Sequence, residues 1–110
     1  FFEESVANIL VASGDKVEVK TEIDKHKSTG NVVVEIESRG KPSGLATTEA
    51  DWWCFVLSYK GEIEQVVILP VEELKSRLRR LTLSGEAKII KGGDNNTSKL
   101  ICVKKEVLFG

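Results

Sequence analysis

Residues 16–22 alternate apolar and polar side chains, with Glu18 and Lys20 interleaved between Val17, Val19 and Thr21. A strand repeats every two residues, so the pattern predicts a strand that carries both charges on one face. The apolar stretch 6–11 predicts a strand before it, and Ser13-Gly14-Asp15 a tight turn, which together make an antiparallel hairpin. Residues 24–30 read as a polar loop. A third strand follows at 31–37, where Val32-Val33-Val34 is apolar on both faces, as a central strand is. Gly40, Pro42 and Gly44 mark 38–48 as a long loop, and Thr47 or Thr48 caps a short helical turn through Ala50-Asp51.

Residues 52–59 are β-rich and apolar, and Lys60-Gly61-Glu62 turns them into a strand at 63–69. Pro70 opens a helix over 71–81, with Val71, Leu74, Leu78 and Leu81 at helical spacing and acids before bases along its axis. A strand at 87–91, a Gly- and Asn-rich loop at 92–98 and an apolar segment from Leu100 complete the chain. Strands first and then a helix packed back on them predict an α/β fold of the mixed α+β kind, one domain over 1–110.

Composition bounds this picture. One hundred and ten residues with 41% apolar content fill one core. Sixteen basic and seventeen acidic residues leave a net charge of −1, unlike the basic surplus of many nucleic-acid binders. The charge is uneven, because residues 1–24 hold six acids and two bases around Glu18 and Lys20 while the rest is slightly basic. Cys54 and Cys102 stand in apolar settings without zinc-site spacing and read as buried thiols. No apolar run approaches the roughly 18 residues that span a bilayer, and no secretion signal is evident, so the expected place is a cytoplasm, the host's if the chain is phage-encoded. The chain opens Phe1-Phe2 and lacks methionine, which leads us to expect further sequence upstream.

A Glu and a Lys on a buried strand need a reason, since buried charge is costly unless it pairs, binds metal or serves chemistry. Metal-assisted phosphodiester hydrolysis supplies one: a carboxylate holds the ion and an ammonium orients water or stabilises phosphorane charge. It asks for a second carboxylate on a neighbouring strand. Asn8, ten residues before Glu18 and the one polar side chain between Val6 and Ala12, occupies that position with the shape of Asp but not its charge.

Asn8, then Glu18-x-Lys20, resembles the acid and Glu-x-Lys pattern of the PD-(D/E)xK nuclease superfamily. The stretches Gly30-Asn31-Val32-Val33-Val34-Glu35 and Gly40-Lys41-Pro42-Ser43-Gly44-Leu45-Ala46-Thr47-Thr48-Glu49-Ala50-Asp51-Trp52-Trp53 are similar to its small phage- and prophage-type members. The resemblance, over about residues 6–70, implies a restriction-endonuclease-like core of mixed sheet flanked by helices. It also implies a Mg²⁺-dependent endonuclease or junction resolvase acting on duplex or branched DNA, with Mn²⁺ as a substitute and a homodimer as a common assembly. Glu18, position 8 and the Val19 carbonyl would hold the metal, Lys20 would orient water, and Glu3 or Glu4 would be a further acid from a leading helix. Asn8 departs from the pattern: as the natural residue it implies poor metal binding and slow or absent cleavage, and as an exchanged aspartate it implies a form made to hold substrate uncut.

Further candidates surround this centre. Glu35 alternates with Val34 and Ile36 and is a possible ligand or water-positioning base beside Glu18; a solvent-facing Glu is the competing reading. Lys25, His26, Lys27, Arg39 and Lys41 lie in loops after the strands and suit phosphate contact, and Ser43 and Thr48 add hydroxyls. His26 by itself reads as a surface residue. Trp52 and Trp53 point to opposite faces, one core and one half exposed. Arg77, Arg79 and Arg80 complete the helix dipole and cover apolar surface with their stems. The alternative function is a catalytically silent nucleic-acid-binding or structural module on the same scaffold.

Overall fold

The computed structural model describes residues 14–110 and shows a mixed α+β chain with two sheets and short helices. In chain order these are β1 (Val17–Ile23), α1 (Lys25–Thr29), β2 (Asn31–Ser38), β3 (Lys41–Pro42), a 3₁₀ turn (Gly44–Ala46), β4 (Trp52–Tyr59), β5 (Glu62–Pro70), α2 (Val71–Ser84), β6 (Ala87–Gly92), β7 (Ser98–Lys104) and α3 (Lys105–Phe109). The first sheet has the order β1-β4-β5, with β1 parallel and β5 antiparallel to β4. The second is antiparallel throughout, in the order β3-β2-β7-β6.

Both sheets turn an apolar face to α2. Trp53, Phe55 and Leu57 come from β4, Val32 and Val34 from β2, Ile101 and Val103 from β7, and all pack with Val71, Leu74, Leu78 and Leu81 of the helix. The helical spacing in the sequence therefore marks the stripe that is buried. Pro70 precedes the first turn, Glu72 and Glu73 lie within it, and Gly85 at φ +84° closes the last.

Several expectations are corrected. Residues 25–29 are helical rather than loop, and His26 is buried there at 2% exposure. The span 38–48 is organised: Arg39 and Gly40 both take positive φ, as a two-residue hairpin turn demands, and return the chain as β3. No helical turn occupies Ala50-Asp51; the turn lies earlier, at Gly44–Ala46, and the Thr48 hydroxyl accepts from the Ala50 N–H at 3.1 Å. α2 runs three residues past Leu81, so its last turn holds no base and the arginines sit mid-helix. The strand 6–11, its hairpin, Glu3, Glu4 and Asn8 lie outside the described residues. Among the described residues, no helix is long and apolar enough to cross a membrane.

Candidate functional site

A pocket lined from β1 by Lys20, Thr21 and Glu22 and from β2 by Val33, Val34 and Glu35 forms the site. Residues paired across β1 and β4 share a face, so Glu18, Lys20 and Glu22 lie on the same side as Trp53, Phe55 and Leu57. The predicted strand and its shared charged face are thus present. The two charges are not deeply buried, however: the Glu18 and Lys20 side chains keep 41% and 51% of their exposure and lie 3.8 Å apart. The edge position of β1 among the described residues explains this, since β4 covers it on one side.

Lys20 leans toward the Trp53 ring, 5.9 Å from its centroid. Glu22 reaches the other sheet, where its Oε1 accepts from the Val33 N–H at 3.4 Å. Lys20, Glu22, Val33, Glu35, Gly44 and Trp53 line a pocket of about 210 Å³. Glu35 lines it two residues on from Val33, just before β2 and β7 shift register between Glu35 and Glu37. The Ile36 carbonyl then accepts from the Ser43 N–H at 3.0 Å, and the Ser43 hydroxyl donates to Glu35 Oε2 at 3.0 Å. Gly44 has φ +54°, and a Cβ there would overlap the Glu35 carbonyl oxygen, so glycine is required for the turn to press against β2.

Burial pushes the Glu22 carboxyl above its ordinary value, with the Val33 N–H and the nearby His26 partly opposing the shift. Trp53 is 2% exposed, and its indole N–H has no hydrogen-bond partner among the described residues. The pocket therefore combines an ammonium and two carboxylates. Carboxylate oxygens suit a hard cation, and Mg²⁺ commonly takes one or two from protein and the rest from water or phosphate. Glu22 and Glu35 fit that role, although no group of three or more His, Cys, Asp or Glu side chains is gathered for a metal among the described residues.

The sequence candidates divide. Lys20 and Glu35 come together, with Ser43 holding Glu35. Glu18 stays beside Lys20 and is not among the residues lining the pocket, and Val19 lies on the opposite face of β1, 48% exposed. Lys25 and Lys27 are at the α1 end of β2, whereas Arg39 and Lys41 are at its far end, so the basic set is split by the length of the strand. Lys27 is engaged by Glu64 at 2.9 Å and lies over Tyr59. His26 cannot meet a phosphate: its Nε2 donates to the Ser58 carbonyl at 2.7 Å and its Nδ1 accepts from Lys105 Nζ at 3.0 Å. Thr48 is spent on its own turn. Glu22 and Trp53 were legible as period-two neighbours, Glu22 two residues beyond Lys20 on the same face, and Trp53 by its register with Glu18 once the strands pair.

Compared with models of protein families, with curated proteins and with solved structures, the chain matches none.

Proposed function

We propose that the pocket between β1 and β2 hydrolyses phosphodiester bonds of DNA with Mg²⁺, on a restriction-endonuclease-like core. The observation that carries the reading is the convergence of Lys20 with Glu22 and Glu35 in one pocket. Glu22 and Glu35 would hold the cation, and the family pattern asks for an aspartate where the sequence has Asn8, which lies outside the described residues. When bound, Mg²⁺ polarises the phosphoryl group and makes water a better nucleophile. Lys20 would place its ammonium against the developing negative charge of the phosphate. Glu18, 3.8 Å away, would steady that ammonium. Ser43 and Gly44 would keep the Glu35 carboxylate in place.

The test compares the chain with its Asn8→Asp variant on duplex and four-way-junction DNA in the presence of Mg²⁺. The variant is expected to cut, and adding Lys20→Met to it should slow cutting about 100-fold, the usual cost of removing a charge-stabilising donor. Mn²⁺ binding followed by electron paramagnetic resonance should weaken in Glu22→Gln and Glu35→Gln. DNA binding without cutting by either chain would support the silent module instead. If neither cutting nor metal binding is found, the nuclease reading is wrong.

A further inference from the structure

A second cleft lies on the other side of β2, under α2, and the nuclease reading makes no use of it. It is an open depression of about 320 Å³, at the lower end of the roughly 300–1,000 Å³ typical of small-ligand sites. Its floor is apolar: Leu45 of the 3₁₀ turn, Leu78 of α2 and Ile101 of β7, all buried. Its α2 wall presents Lys75, Arg79 and Thr82, which the helical repeat sets on one face with Leu78. Neither Lys75 nor Arg79 belongs to an ion pair among the described residues. Arg77, two residues away, is by contrast held by Glu73 and by the Leu108 carbonyl. The Thr82 hydroxyl oxygen is buried and has no hydrogen-bond partner among the described residues. A buried polar group left unsatisfied is unfavourable, and a ligand oxygen that reached it would relieve this.

We propose that this cleft binds a small amphipathic anion, an aliphatic or aromatic body ending in a carboxylate. The apolar body lies against Leu45, Leu78 and Ile101, where the surface has little else to offer. Arg79 is one turn from Lys75 on one side and one turn from Thr82 on the other, so a head group seated on the guanidinium lies within a turn of the Lys75 ammonium. Charge complementarity excludes a cationic ligand, and the apolar floor disfavours a bare inorganic anion.

Octanoate is the probe, titrated into the full chain and followed by amide chemical shifts. Saturable shifts are expected at Leu45, Ala46 and Thr82. Octanol should bind at least about tenfold more weakly, because one charge-assisted hydrogen bond is worth about 1.5–3 kcal/mol and each 1.4 kcal/mol is tenfold. Octylamine should leave these shifts unmoved. Arg79→Ala should weaken octanoate about tenfold and leave octanol unchanged, and Lys75→Ala offers the same readout if that variant does not fold. Ala46→Trp, at an exposed position, should block both ligands. Absence of saturable shifts in the cleft, equal affinity for octanoate and octanol, or indifference of octanoate to both cation variants would each overturn the proposal.

Discussion

A carboxylate half withdrawn from water carries its cost only while it is charged, and Glu22 is in that position between β1 and β2. Its folded pKa lies above the ordinary 4.5, so the folded chain takes up this proton before the unfolded chain does. The stabilisation linked to the proton is complete below about pH 4.5 and is lost as pH rises through the raised folded value. Glu22→Gln imitates the protonated form. Urea midpoints should therefore show the variant more stable than the parent at pH 7, with the gap closing as pH falls from the raised folded value toward 4.5; a gap that widens with acid would contradict this account. Gly44 is a residue-scale requirement of another kind. Alanine there meets both a positive φ and the Glu35 carbonyl oxygen, so Gly44→Ala should cost roughly 2–4 kcal/mol in chemical denaturation, against near neutrality at an exposed position.

At the scale of elements, α2 binds the two sheets to one core. Leu74 is fully buried at its centre, and Leu74→Ala should destabilise by about 3 kcal/mol, lowering the melting temperature by roughly 10–20 °C. Leu83, 84% exposed on the last turn, is the control, and its replacement by alanine should change little. This helix was legible because its apolar spacing is long and regular. α1 was not, because five polar residues make no amphipathic repeat and the element is held by the tertiary bonds of His26 to Ser58 and Lys105. The turns teach a similar lesson. Lys60-Gly61 and Arg39-Gly40 adopt the same positive-φ pair, yet the first separates two long apolar runs and could be read, while the second returns into a strand of two residues.

For the whole molecule, the apolar alternation and helical spacing determined by themselves where β1, β2, β4, β5 and α2 lie and which residues of α2 are buried. These are local properties, since a side chain's face follows from its own strand or helix period. The charged face of β1 was legible for the same reason, as were the unlike settings of Trp52 and Trp53. Which charges meet was decided only by tertiary structure. Two sheets of different order turn β1 and β2 to one pocket, and this brings Glu22 and Glu35 to Lys20, leaves Glu18 outside the pocket, withdraws His26 into the interior and parts Lys25 and Lys27 from Arg39 and Lys41. Such meetings depend on strand pairing between residues distant in sequence, and the period of a single strand carries no information about its partner.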